Sequence, residues 1–462
     1  MLQRLVILFF AFFLTSRFFS EVLGLLPKWV DILNFPFIVF LGFVALFLRV
    51  NKDVDLAEHK LMSRCVLAFV VIAVFSAFVN LGNLLLPAAA LFLIGFMEGP
   101  VLFLSLNKIV GDVDIFARQI RKLFMFLLAV NILIVVLHNI PVFIITGNPD
   151  VVSGSYGLNA YQFTMLLVIC GGLLLGDATI NKRSIPILIG GQVFILVTFV
   201  LLQFRSGLPF FLLAYAFMLT MLYGRKIGRA FVFGAVLLGI SLAAISYVFA
   251  KGEFGGTLGF SDWLSILSDP FALLRFGKFA AYGQTAQMMV DDPTAILVGV
   301  GPGNYLSRAS YTFSYELLRS DKGVAVLVSN LFGIEGPRFT PIMDQYLGWT
   351  GGESVFGSRQ LSSPFSSFLA PTAEVGLIGG GIIIGIYLYL IRKSLKLMRI
   401  AKESVEEYLP FAVALVGSTV YLFGLAFLEN YWEISRVTLP VWLLFWGTNA
   451  GLRIKMKNAE PP

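Results

Sequence analysis

Charge is what this chain has least of. Only 13% of its 462 residues are Asp, Glu, Lys or Arg, about half the share of a soluble domain, so an ordinary soluble fold of this length is excluded. Cysteine is almost absent. Cys65 and Cys170 both fall in or beside apolar runs and give neither a disulfide framework nor a zinc spacing. Histidine is limited to His59 and His138. No Walker A loop, H-E-x-x-H pair or G-x-S-x-G elbow occurs, which removes P-loop, zinc-protease and α/β-hydrolase chemistry. No period of 20–50 residues recurs, so an inverted-repeat transporter finds no support.

What fills the chain is apolar. Hydrophobic residues make up 58% and aromatics 15%, in runs near 20 residues rather than alternating strands of about 10, so the expected class is an all-α polytopic membrane protein. About twelve transmembrane helices are expected, at 5–25, 32–49, 65–82, 86–106, 123–145, 159–176, 185–203, 207–223, 230–250, 366–391, 409–428 and 435–451. The first run is too long, and lacks the small-residue cleavage site, for a removable signal peptide, so it reads as a signal-anchor. Residues 1–250 would thus carry nine spans. One large, partly helical loop would cover 251–365, and 366–462 would hold three spans and a short tail.

Lys and Arg orient this scheme. Most of the 34 fall in alternate connections, such as Arg118–Lys122 and Arg392–Lys402, which places both termini and these loops inside. The large loop then faces the periplasm or the cell exterior, and a loop held on a rigid scaffold is where function is expected. The net charge of +7 follows from the same bias, and no nucleic-acid partner is expected. Within the loop, Asp269-Pro270 reads as an N-cap followed by proline at the first helical position. The helix after it, to about Val290, would carry Arg275 and Lys278 on one side.

Charged groups in or beside apolar spans are costly and mark candidate sites. Arg205, in the turn Gln203-Phe-Arg-Ser-Gly207, has no partner at helical spacing, and a fixed guanidinium facing an outer cavity suits a phosphate or diphosphate. Arg17 and Glu21, one turn apart, read as an internal ion pair. Glu374 enters a glycine-rich span either as a general base, as an anchor for an arginine, or as a helix-capping acid. Gly299-Val-Gly-Pro-Gly303 reads first as a structural turn. Its alternative is a close backbone approach to a sugar or phosphate. Glu429, Tyr431, Trp432 and Glu433 occupy the last outer hairpin, where an interfacial aromatic belt accounts for the rings.

Four passages together resemble the superfamily of O-antigen ligases and Wzy-type O-antigen or exopolysaccharide polymerases. Gly154-Ser-Tyr-Gly-Leu-Asn159 is similar to the family's entry to its sixth span, and Phe204-Arg205-Ser206-Gly207 to its S-R-S/G turn. Leu274-Arg275, Pro293 and Gly299-Val-Gly-Pro-Gly-Asn304 resemble its arginine and glycine run. Ala373-Glu374-Val-Gly376-Leu-Ile-Gly379 is similar to its A-E-x-G-x-x-G span opening. The ligases' histidine before that glutamate has no counterpart in Ser362-Ser-Pro-Phe365-Ser-Ser-Phe-Leu, which favours the polymerase branch.

The resemblance implies a GT-C-like, metal-independent glycosyltransferase in the bacterial inner membrane, without a cofactor. It would polymerise undecaprenyl-diphosphate-linked repeat units, with lipid-linked glycans as both donor and acceptor, and a chain-length regulator is a candidate further partner. Arg205 and Arg275 would stabilise the leaving diphosphate with help from Lys278, and Glu374 would deprotonate the acceptor or hold an arginine. Arg338, Arg359, Gly301, Gly303 and Asn304 complete the expected substrate-binding set. A ligase, or a lipid-linked oligosaccharide flippase, remains the alternative.

Overall fold

A computed structural model describes residues 2–52, 54–148, 151–157, 159–181, 185–202, 207–227, 277–316, 330, 333–334, 338–347 and 366–459. No strand occurs among them. Seven helical stretches are long and apolar enough to cross a membrane: Leu2–Val22, Leu56–Val79, Leu86–Ile109, Val113–Thr146, Tyr161–Ile180, Leu369–Ser404 and Glu406–Leu425. Three apolar helices are shorter, Asn34–Leu46, Pro186–Leu201 and Leu208–Tyr223. The chain is therefore an all-α, multi-pass membrane protein. The expected ninth span, 230–250, lies outside the described residues.

The helices are numbered in order. They are α1 (Leu2–Arg17), α2 (Asn34–Leu46), α3 (Leu56–Val79), α4 (Leu86–Ile109), α5 (Val113–Ile134) and α6 (Ile140–Thr146). Next come α7 (Ala160–Ile180), α8 (Ile185–Leu201) and α9 (Leu208–Tyr223). The loop region contributes α10 (Gly277–Asp291), α11 (Thr294–Val298), α12 (Arg308–Tyr311) and α13 (Pro341–Leu347). The bundle ends with α14 (Leu369–Ser404), α15 (Leu409–Leu425) and α16 (Ser435–Ala459).

Several helices overrun the apolar runs that announce them. Helix α3 begins at Leu56 rather than near 65, because the Asp55 carboxylate accepts from the N–H groups of Ala57 (3.0 Å) and Glu58 (3.3 Å). Asp112 does the same for α5 through Ile115 N–H (2.9 Å). Apolarity marks the part of a helix that meets lipid, whereas capping marks where the helix starts.

The bundle is organised around α15. Of the window taken from Glu406–Leu425, 94% is buried, against 22% for α3, so α15 is sheathed by protein and α3 by the surroundings. Helix α7 closes on α15 most tightly. A Cβ added at Gly172 would lie 2.4 Å from Ala414 Cα, and one at Gly176 2.3 Å from Pro410 Cα. This is the small-residue spacing that brings membrane helices into backbone contact. The periphery instead exposes Phe43, Phe47, Phe78 and Ile145, an apolar surface that suits lipid and not water.

Helix α14 is broken where it matters. Val375 (φ −126°, ψ 18°) and Gly376 (φ 76°, ψ 173°) leave helical geometry, and the freed carbonyls find other donors. The Glu374 carbonyl accepts from Gly301 N–H (3.0 Å) and Ser76 Oγ (3.0 Å), and the Ala373 carbonyl from Val300 N–H (3.0 Å). Of the glycines further along this span, Gly381 and Gly385 face open space rather than a packed helix.

A carboxylate-held loop and an arginine-lined cavity

The glycine turn and the Glu374 passage, read separately in the sequence, are one structure. Glu374 is fully buried, and its carboxylate is encircled by backbone N–H groups. One oxygen accepts from Tyr305 (3.1 Å) and Ser307 (2.7 Å), the other from Gly303. Three donors on one carboxylate fix the path of residues 303–307, much as an anion orders a nest of amides. Gly299 has φ 73°, and a Cβ there would stand 2.3 Å from the carbonyl carbon of Glu374. Only glycine permits that approach. Asn304 is buried; its side-chain amide donates to the Val300 carbonyl (3.0 Å), and its backbone carbonyl accepts from Thr340 Oγ1 (2.8 Å).

What the carboxylate positions is the start of α12. Ser307 caps that short helix by accepting from Ser310 N–H (3.2 Å). The next residue, Arg308, donates its backbone N–H to Glu433 Oε2 (2.9 Å). Arg308 then lines a small cavity, ≈ 120 Å³, together with Arg17, Arg436, Glu433, Gln162 and Ser435.

The side chains of Arg436, Arg17 and Glu433 in this cavity are each held. Arg436 is 4% exposed. Its Nε donates to the Phe13 carbonyl (3.2 Å), one terminal nitrogen donates to Ser16 Oγ (2.9 Å), and the guanidinium lies 4.3 Å from the Phe13 ring centre. Arg17 pairs with Glu21 (3.6 Å), as its spacing announces, and also reaches Gln162 Oε1 (3.4 Å). Glu433 accepts from the Asn430 amide on its other oxygen. Burial, and then the neighbouring Glu374 carboxylate, push the Glu433 carboxyl up to about 8. Below this cluster, Glu98 of α4 is 1% exposed and accepts from Ser435 Oγ (2.7 Å) and Asn34 Nδ2 (3.3 Å). Among the described residues its second carboxylate oxygen has no hydrogen-bond partner.

Three guanidinium groups from α1, α12 and α16 therefore converge beside a carboxyl poised near neutrality. Such a constellation binds a doubly charged or polyphosphorylated group and has a proton acceptor at hand. Among the described residues no cluster of three or more His, Cys, Asp or Glu could hold a metal.

The expected residues divide sharply. Glu374, Gly301, Gly303 and Asn304 come together, as the docked loop rather than as an open pocket. Arg338 is exposed, and its backbone N–H donates to the Phe313 carbonyl (2.8 Å). Arg205, Arg275 and Arg359 lie outside the described residues, as does the side chain of Lys278, whose backbone belongs to α10. Arg308, Arg436 and Glu433 were missed as a site. Arg436 had a signal, a cation one residue into an apolar span; Arg308 had none beyond following the glycine run.

Fold and cavity define a multi-pass helical membrane protein with a cation-lined pocket at one end of the bundle. Set against known proteins, the chain matches no family model and no curated protein sequence.

Proposed function

We propose that the chain is a membrane glycosyltransferase of GT-C-like design, with twelve spans and both termini in the cytoplasm of a bacterium. It lengthens a glycan carried on a polyprenyl diphosphate at the outer face of the inner membrane. The observation that carries this reading is the convergence of Arg17, Arg308 and Arg436 with Glu433 on one cavity. The resemblance of the Glu374 and Arg205 passages to the O-antigen polymerase and ligase superfamily supports the same reaction.

In that reaction an acceptor sugar hydroxyl attacks the donor's anomeric carbon. The new C–O bond forms as the bond to the lipid diphosphate breaks, and negative charge grows on the diphosphate. Fixed guanidiniums lining the cavity stabilise that charge without reorganising. The hydroxyl proton passes to Glu433, whose raised affinity for protons suits a base working near neutral pH. Glu374 serves by holding the 303–307 loop, since its oxygens already receive three N–H groups. Arg205 and Arg275 are assigned the remaining diphosphate contacts by the resemblance.

Polymerase is preferred to ligase because residues 251–365 contain no histidine. A flippase is the reading that Glu98 favours, since a buried carboxylate within a span also suits proton-coupled transport. One experiment separates them. The purified chain in nanodiscs is given synthetic undecaprenyl-diphosphate repeat units alone. A ladder of longer lipid-linked glycans is expected, falling about a hundredfold in Arg436→Ala, the scale for removing one charge-stabilising donor. Extension only with a second acceptor would indicate a ligase, and lipid movement without glycan transfer would overturn the enzyme reading.

A further inference from the structure

At the opposite end of the bundle lies a second, larger concavity, ≈ 380 Å³, between α14 and α16. Its rim carries Lys393 and Lys396 from one helix and Arg453 and Lys457 from the other. Its floor is apolar, formed by Leu397, Ile400 and Leu452.

Part of this rim is braced from behind. Glu58, 5% exposed, accepts from Tyr389 Oη (2.6 Å), Asn449 Nδ2 (2.6 Å) and Lys393 Nζ (3.3 Å). Arg453 meets Asp55, the cap of α3, at 3.1 Å. Among the described residues, the groove's own lining holds four cations and one carboxylate, Asp55, with Glu58 behind it. Nearby Lys455 differs: it faces away, toward Asp114 (3.4 Å) and Glu407 (3.2 Å).

Depth matters as well. Past its break at Val375 and Gly376, helix α14 runs on to Ser404, about 42 Å at 1.5 Å per residue, which exceeds a hydrocarbon core of about 30 Å. Its first cation in this half is Arg392, after an apolar run, so Lys393 and Lys396 sit where the span leaves the membrane. The Lys and Arg bias assigns this end to the cytoplasmic leaflet.

We propose that this groove binds the phosphodiester headgroup of an anionic phospholipid of the inner leaflet, with an acyl chain lying along the Leu397 and Leu452 floor. Cations drawn from α14 and α16 at the headgroup level suit such a lipid. The apolar floor argues for the lipid over a free phosphate, which would gain nothing from it. This site is independent of the reaction assigned to the arginine-lined cavity.

The test uses the full chain, delipidated in neutral detergent, with lipid adducts counted by native mass spectrometry. Phosphatidylglycerol, phosphatidylcholine and soluble glycerol phosphate are titrated in parallel. Phosphatidylglycerol is expected to be retained in preference to both others, and its binding to weaken about tenfold or more in Lys396→Gln/Lys457→Gln. Arg399→Gln, which removes a cation of the same helix outside the groove, is expected to leave it unchanged. Equal retention of glycerol phosphate would reassign the site to free phosphate and overturn the lipid source. An equal loss in Arg399→Gln would mean a diffuse basic surface and overturn the site. A diazirine-bearing phosphatidylglycerol on the wild-type chain checks the location without any variant. Cross-links at 393–400 and 449–457 are expected, and cross-links elsewhere alone would overturn the proposal.

Discussion

The two ends of the bundle treat most of their charge differently. At the arginine-lined end, Glu374, Glu433, Glu98 and Arg436 are each less than a tenth exposed. Glu374 and Arg436 are held by two or more groups from other elements. At the other end Glu58 is the exception, 5% exposed and held by three donors, while Arg453 and Asp55 pair with side chains 45% and 37% exposed, and Arg121 meets Asp177 with its own side chain 44% exposed. Burying a charge is expensive, and a structure that does it repeatedly in one place has fixed positions there that water would otherwise loosen. The exposed pairs keep most of their hydration and fix little. The contrast separates a preorganised site from a solvated face.

The strongest way to break that contrast is to remove Glu374. Glu374→Ala would leave the N–H groups of Gly303, Tyr305 and Ser307 buried without acceptors, at about 1–3 kcal/mol each. The expected loss is on the order of 3 kcal/mol or more, with α12 and Arg308 displaced. Glu374→Gln is expected to fail as well, because an amide nitrogen cannot accept from the N–H groups it would face. Thermal unfolding in detergent measures both. An unchanged midpoint for either variant would mean that the loop does not depend on the carboxylate.

How much of this was legible beforehand follows the same division. The helical membrane class was readable because lipid selects for apolarity, and the runs at Leu86–Ile109 and Leu409–Leu425 announce themselves by composition. The extents of α3 and α14 were not, since Asp55 and the polar stretch Arg392–Ser404 extend helices beyond the lipid-facing part. Glu374 and the 299–303 turn were each singled out, and their types were informative: a lone acid entering an apolar span, and glycines at positions of positive φ. Their union was hidden, because it is made of backbone N–H groups, which every residue carries and no motif records. Arg308 illustrates the limit. Nothing in its neighbourhood separates it from Arg338, yet one lines the cavity and the other is exposed, and long-range packing made the choice.

A gentler probe titrates the buried end instead of cutting it. Glu433 has its proton affinity raised from 4.5 to about 8 by burial and then by Glu374. Between those values the folded chain holds a proton that the unfolded chain has released. Stability from this group is therefore fully present below about 4.5 and is lost as pH rises through about 8. The slope is at most about 1.4 kcal/mol per pH unit. Glu433→Gln is expected to flatten that part of the curve of unfolding midpoint against pH. In the transfer assay the wild type should gain rate as pH approaches 8, as the base loses its proton, while the glutamine variant stays slow throughout. A wild-type stability curve that does not fall over this window would place the Glu433 carboxyl near its ordinary range and remove it as a base.

The smallest effect is expected at the solvated end, and its smallness is the point. Arg453 Nη1 lies 3.1 Å from Asp55 Oδ2, a distance as short as many at the buried end, so distance alone would rank the pair as important. Exposure argues otherwise: with both side chains more than a third accessible, water and salt screen the attraction, and ordering two side chains costs entropy. Arg453→Ala is therefore expected to change stability by about 0.5 kcal/mol or less. Asp55→Ala should cost more, about 1 kcal/mol, because Asp55 also caps α3. A double-mutant cycle on the unfolding midpoint isolates the pair from the cap. A coupling well above 1 kcal/mol that persists in high salt would show this end to be as firmly built as the other. The distinction between a preorganised site and a solvated face would then fail.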